Sequence, residues 1–221
     1  MTTFNAIAKE YDAWYQTPLG MFVDEVESNV AFGTIEIRPG MKVLDVGCGT
    51  GIYSRRLADM GCSVVGVDIS GNMLEIARKK VPEANFIESS VYALPFPKDH
   101  FDLVFSMATF EFIHNAKAGY FEMKRVAKPG ANIFIGTING DSSWGELYKS
   151  EKFKENTVFR DAHFKTPIDF QSIDTQCQLK TSGCVFFDPA TPETDLTWEN
   201  EKRLSKMARP GFITAVWQKK I

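Results

Sequence analysis

A nine-residue stretch, Val43 to Gly51 (VLDVGCGTG), constrains the fold of this 221-residue chain more than any other feature. An apolar run that ends in an acid and a glycine-punctuated loop reads as a buried parallel strand, and the helical pattern starting at Ile52 makes it the opening of a βαβ unit. Parallel strands need crossover connections, so one such unit commits the chain to an α/β architecture. The glycines let the backbone turn sharply and approach a ligand closely, while the new helix points unpaired N–H groups at whatever lies above it. A second apolar run, Ser63 to Val67, is closed by Asp68, 17 residues past Gly51. An acid at about that distance is placed to accept hydrogen bonds from a ribose diol. Together the two features describe a site for a nucleoside cofactor.

Which cofactor is decided around the glycines. The dinucleotide fingerprint asks for a glycine where this chain has Ile52, which disfavours a nicotinamide-dependent oxidoreductase. Asp45, two residues before the first glycine, argues further against it, because a pyrophosphate in this loop would meet a carboxylate a few Å away. A cofactor with a cationic tail and no phosphate suits that carboxylate, and S-adenosylmethionine is such a molecule. The alternative role for Asp45 is local, capping the loop by accepting from nearby N–H groups.

VLDVGCGTG resembles the first motif of the class I S-adenosylmethionine-dependent methyltransferases. Val64 to Ser70 (VVGVDIS) is similar to that family's second strand with its ribose-binding acid. Leu94 to Pro97 with Phe101 to Ser106 is similar to its loop and fourth strand, and Arg125 to Ala131 (RVAKPGA) to the turn before its fifth. The resemblance is strong over residues 40 to 138. The opening Ala6 to Asp12 (AIAKEYD) resembles the branch that contains the ubiquinone and menaquinone C-methyltransferases. The resemblance implies a doubly wound, mostly parallel seven-stranded α/β sheet of Rossmann type, with an antiparallel last strand and an N-terminal helical lid. It also implies S-adenosylmethionine as methyl donor and S-adenosylhomocysteine as product.

Composition narrows the partners. With 25 Lys and Arg against 28 Asp and Glu, interspersed, the net charge is −3 and no basic field for duplex nucleic acid exists. The 44% hydrophobic content supplies an ample core for one domain. None of the apolar runs approaches the ~18 residues of a membrane span. The N-terminus shows helical spacing rather than a secretion signal, and the four cysteines (Cys48, Cys62, Cys177, Cys184) form no C-x-x-C pair. Reduced thiols in the cytoplasm are the expectation. Nothing in the sequence indicates an oligomeric state.

A single domain over 1–221 is expected, with helices over 1–34, a cofactor-binding core over 41–138, an aromatic-rich insert over 139–177 and two edge strands within 178–221. Phe4, Ile7, Ala8 and Tyr11 make one face of a short helix broken at Thr17-Pro18, and Leu19 to Val30 continue as a second. Strands over 41–46, 62–68, 84–88, 101–107 and 131–138 alternate with helices over 51–60, 71–80 and 116–127. Thr166-Pro167 starts a short helix running to about Ile173. Strands at about 179–187 and 211–219 flank a helix at 198–207.

Carried onto these positions, the resemblance places Gly47, Cys48, Gly49 and Gly51 in the loop under the methionine moiety, with Asp45 near its ammonium. It places Asp68 on the ribose, Ile69 on one face of the adenine, and Met107 at the methionine end. Ser90 stands where the family usually has the aspartate that accepts from the adenine amine, and the Val91 N–H serves a ring nitrogen. Tyr11 aligns with a tyrosine that closes over the cofactor; ordinary packing is its other reading. Methyl transfer from a sulfonium needs alignment more than acid–base chemistry, so no catalytic residue is advertised. Glu111 and His114 follow the fourth strand, close to where an acceptor must sit, and His163 in the insert is a lid candidate, each with a structural or solvated alternative; His100 is expected to be solvated. Cys48 has neither a paired thiol nor a nearby His pattern to make it reactive. The chain is therefore expected to be a methyltransferase acting on a small aromatic or apolar acceptor, roofed by the insert and the N-terminal helices. A non-catalytic S-adenosylmethionine-binding protein is the other reading to exclude.

Overall fold

The computed structural model describes residues 3–155 and 157–221; residues 1 and 2 of the expected lid and Asn156 of the insert lie outside it. Short β-branched and apolar runs form strands β1 (Lys42–Val46), β2 (Ser63–Asp68), β3 (Asn85–Glu88) and β4 (Phe101–Met107). They are joined by helices α3 (Ile52–Asp59) and α4 (Gly71–Lys80), with α1 (Thr3–Ile7) and α2 (Pro18–Thr34) preceding them. Beyond β4 come α5 (Ala116–Val126), β5 (Ala127–Ile138), α6 (Ser143–Lys149), α7 (Glu151–Lys154), α8 (Pro167–Ile173), β6 (Gln178–Cys184), α9 (Trp198–Leu204) and β7 (Phe212–Gln218). The seven strands form one sheet in the order β3-β2-β1-β4-β5-β7-β6, in which β7 alone runs antiparallel. The chain reverses its direction of winding between β1 and β4, and such a switch point leaves a crevice at the carboxyl ends of the central strands.

Alternation along the strands feeds two cores. On one face Leu44, Val104, Ile133 and Ile135 pack with Tyr120, Met123, Phe170 and Trp217. On the other, Val43, Phe105 and Phe134 pack with Phe22, Val26, Leu57 and Trp144. Phe105 and Phe134 stack on adjacent strands with ring centroids 4.9 Å apart. Burying each such ring contributes on the order of 1.5–3 kcal/mol. Helix starts are marked by side-chain caps: Thr17, Ser70, Asn115 and Thr166 each accept from a backbone N–H of the first turn.

Four expectations need correction. The N-terminal helix ends at Ile7, where the Glu10 N–H bonds back to the Ile7 carbonyl (2.9 Å), and Tyr11–Gln16 form a 3-10 turn instead. That turn packs on the start of α2, leaving no room for a side chain at Gly20, whose Cβ would lie 2.0 Å from the Trp14 carbonyl oxygen. β5 begins at Ala127 rather than 131, because Ala127 pairs with Phe101 ahead of a register shift that takes up Pro129-Gly130. β6 stops at Cys184, since Val185 adopts φ +60 and ends the ladder. His100 is half-buried rather than solvated: its Nε2 lies 2.7 Å from Lys42 Nζ and its ring stacks on Phe96. Burial, with the Lys42 and Lys128 charges, holds His100 below its ordinary pKa.

Candidate functional site

A cavity of about 170 Å³ lies in the crevice above β1, β2 and β4, and a recess of about 40 Å³ continues it toward Asp45. The glycine loop forms the floor, and its three glycines serve different ends. Gly49 (φ +52) turns its missing side chain toward open space, so a ligand can lie against the backbone there. Gly47 (φ +71) makes room for Thr109, whose Oγ1 donates to the Gly47 carbonyl (3.0 Å). Gly51 lies outside the cavity wall; a Cβ there would meet Ala77 of α4 at 3.1 Å, so it sets the close approach of two helices. The Cys48 thiol packs near Gly66 in a small core with Leu74 and Phe86, and burial pushes it well above the ordinary thiol range, which keeps it inert.

Asp68 sits at the carboxyl end of β2 and accepts from the Gly49 N–H (2.9 Å, Oδ2) and the Ser70 N–H (2.8 Å, Oδ1). Each oxygen keeps a lone pair for a ligand hydroxyl. Ile69, half exposed at 51%, forms one wall. Ser90 and Val91 line the side formed by the loop after β3; the Ser90 hydroxyl accepts from the Tyr92 N–H (3.2 Å), and the Val91 N–H has no protein partner among the described residues. Tyr92 also lines this side, with its hydroxyl accepting from the Asn115 N–H (2.9 Å).

Asp45 is 2% exposed at the inner end of the recess, beside Met107. The Ser54 hydroxyl donates to its Oδ2 (2.6 Å), so the carboxylate does anchor the first turn of α3. Burial nevertheless pushes its carboxyl up to about 7, with the Asp68 charge adding to the rise. A buried acid without a cation partner among the described residues, a glycine open to the cavity and an acid at the ribose distance suit S-adenosylmethionine. The same Asp45 would oppose a pyrophosphate.

The N-terminal segment crosses the loop and is tied to it. Asp12 accepts from Thr50 Oγ1 (2.6 Å) and Lys80 Nζ (2.7 Å), while Asn5 Oδ1 accepts from the Ser70 hydroxyl (2.6 Å). Tyr11, between these ties, lines both the main cavity and the recess, and burial keeps its phenol neutral with a pKa near 12.

A third cavity, about 280 Å³, lies beyond Tyr11 and Ala108, which it shares with the other two. Its walls are largely aromatic, including Trp14, Phe112, Trp144, Tyr148 and Phe159. Ala108 (φ +49) and Val185 (φ +60) border it in a backbone conformation rare for residues with a side chain. Buried Glu201 holds the second one, accepting from the Val185 and Phe186 N–H groups at 2.7 and 2.8 Å. Glu111 faces this cavity at 1% exposure, takes a hydrogen bond from Thr137 Oγ1 (2.7 Å), and is pushed by burial up to about 7. His114 and His163 are exposed, 4.7 Å apart between ring centroids, and outside the lining.

Glu27 of α2 faces the same cavity and was not singled out from the sequence. Its signal was present: it follows Val23 by four residues and Val26 by one, so it puts a charge beside the helix's buried stripe.

The model of a methyltransferase domain matches residues 44–135. An uncharacterized protein of Methanocaldococcus jannaschii is 34% identical over 164 residues, 74% of each chain. The demethylmenaquinone methyltransferase of Renibacterium salmoninarum is 33% identical over 136 residues, 62% of this chain and 57% of that enzyme. The match therefore spans just over half the length of the quinone enzyme. In fold, the chain superposes on a methyltransferase of Thermotoga maritima with a TM-score of 0.77 at 21% identity, covering 99% of this chain and 98% of that one.

Proposed function

This chain belongs to the S-adenosylmethionine-dependent methyltransferases, and on that premise we propose that it methylates a small acceptor with an aromatic or apolar body, held in the 280 Å³ cavity. The observation that carries this reading is the junction at Tyr11 and Ala108, where the aromatic cavity meets the cofactor cavity and its recess. S-Adenosylmethionine supplies a methyl group already activated by its sulfonium. The protein's contribution is alignment and exclusion of water, which is worth on the order of 7–11 kcal/mol in favourable cases.

In this reading Asp68 accepts from the ribose, Ile69 and Val91 flank the adenine, and Ser90 faces its amine. Gly47, Cys48 and Gly49 carry the loop beneath the methionine end, Gly51 holds that loop against α4, and Met107 and Asp45 close the recess, with Asp45 taking the ammonium. Tyr11 closes the site from above, with the N-terminal segment as lid and the insert as roof. The four free cysteines support a cytoplasmic setting, and the aromatic cavity supports a small-molecule acceptor.

The test is turnover. The protein is incubated with S-adenosylmethionine and a panel of small aromatic acceptors, including a quinol such as the relatives' name suggests, and S-adenosylhomocysteine is measured. Formation with an aromatic acceptor that depends on Trp144 and Tyr148 is expected. Turnover only with large polar or polymeric acceptors would overturn the assignment of the cavity.

A further inference from the structure

The acceptor cavity is apolar in body but one-sided in charge. Glu10, Glu27 and Glu111 line it, and among the described residues no lysine, arginine or histidine does. Two of these acids are sheltered, on opposite supports: Glu27 on α2 and Glu111 on the turn after β4. Neither forms an ion pair with a described residue. The cation whose charge acts on Glu27, Arg56, is already committed to Asp24 in a two-point ion pair and to Ser28. Lys165, the cation near Glu111, donates to the His163 carbonyl without pairing with Glu111; its charge lowers the Glu111 carboxyl, against the larger effect of burial.

Burial raises Glu27 well above the carboxylate range; the Asp24 charge and then the Glu111 charge add to the rise, and Arg56 opposes it. Two acids in one apolar cavity are costly to ionise there, and burial holds both toward their neutral forms. A neutral phenol can hydrogen-bond one of them but supplies no charge that favours the carboxylate. A cation between them favours the ionised form of both, and the surrounding rings offer their faces to the same charge.

We propose that the acceptor carries a basic nitrogen, taken up as its ammonium form between Glu27 and Glu111 with its apolar body against Trp144 and Tyr148. The inference rests on the reading of this cavity as the acceptor site. Transfer to nitrogen needs its lone pair. Glu111 accepts one ammonium proton, and the freed pair forms the N–C bond as the sulfur–methyl bond breaks with its electrons remaining on sulfur. The methylated nitrogen keeps the positive charge, and the proton on Glu111 leaves to solvent. Glu111 stands near the junction at Ala108 and is placed for this transfer, whereas Glu27, on α2, is placed to hold the charge.

Binding separates this inference from the reading beneath it. Calorimetry with S-adenosylhomocysteine-saturated protein compares 2-phenylethylamine with its neutral isostere 2-phenylethanol and with methylhydroquinone. The amine should bind about tenfold more tightly than either neutral probe, as a charge-assisted contact over a neutral one requires. Glu27→Gln should remove most of that preference while leaving 2-phenylethanol unchanged, and Glu111→Gln should do the same, with melting temperatures reporting that each variant is folded. Neutral probes binding as tightly as the amine would overturn the nitrogen inference and leave the cavity assignment standing. Failure of all three probes on protein that still binds the cofactor product would overturn both.

Discussion

Replacing Asp45 with asparagine should make the empty protein more stable and the cofactor complex weaker, two consequences of one charge. The carboxyl is 2% exposed and shifted by burial from 3.8 to about 7. Between those two pH values the folded protein retains a proton that the unfolded chain has released. Stability therefore falls as pH rises through that window, and the loss is complete above about pH 7. At about 1.4 kcal/mol per pH unit the ceiling is on the order of 4 kcal/mol. Partial rearrangement and water entry make ~2 kcal/mol a sounder expectation. Asparagine has no proton to lose and can still accept from Ser54, so its carbonyl preserves the anchor to α3.

Thermal unfolding of the empty proteins at pH 5 and pH 8 reads the effect. The variant's advantage should grow between the two and reach ~4–8 °C at pH 8 for a chain of this size. Glu27 and Glu111 are unchanged in both proteins, so their share of the pH slope cancels in the difference. Titration with S-adenosylmethionine should show about 100-fold weaker binding, ~2.7 kcal/mol, as the ammonium loses its partner. A variant whose melting temperature relative to the parent does not depend on pH, or one that binds the cofactor as well as the parent, would refute the assignment of this buried charge.

Asp68→Ala should lower affinity for S-adenosylmethionine by about 10- to 100-fold, the loss of hydrogen bonds to a charged acceptor, with titration of folded variant as the check. Part of that loss will come from the loop, since Asp68 also holds the Gly49 and Ser70 N–H groups. Ser90→Asp should keep the fold and bind the cofactor as well as the parent or up to about tenfold better, because a carboxylate accepts the adenine amine more strongly but must itself be desolvated. Clearly weaker binding at an unchanged melting temperature would mean that the adenine does not face residue 90. Asp12→Ala cuts the ties to Thr50 and Lys80, and amide exchange over residues 3–17 should become faster without cofactor. Exchange that is the same in parent and variant would show that these ties do not hold the segment.

The strand–loop–helix at Val43–Leu57 and the acid at Asp68 were legible in the sequence because each is a local contract between neighbours in the chain. A parallel strand must be apolar on both faces, a loop turning under a ligand needs residues that tolerate positive φ, and a helix start needs its cap. The succession of strands and helices through residue 138 followed from the same periodicities, and the class of cofactor from the glycine loop with Asp45 two residues before it. Element ends were less secure: β6 stops at Cys184 because distant Glu201 holds Val185 in an unusual conformation, which nothing near residue 185 announces.

The aromatic cavity belongs to the tertiary structure. Its walls come from the N-terminal turn, α2, the end of β4, the insert and the approach to β7, segments up to some 200 residues apart that meet only when the sheet is complete. Glu27 looks in the sequence like one more charge on an amphipathic helix, and Glu111 like one of several polar groups after a strand. Only folding brings both to one apolar cavity and commits Arg56 to Asp24. The energy of a buried charge depends on what surrounds it in three dimensions, and no spacing along the chain encodes that.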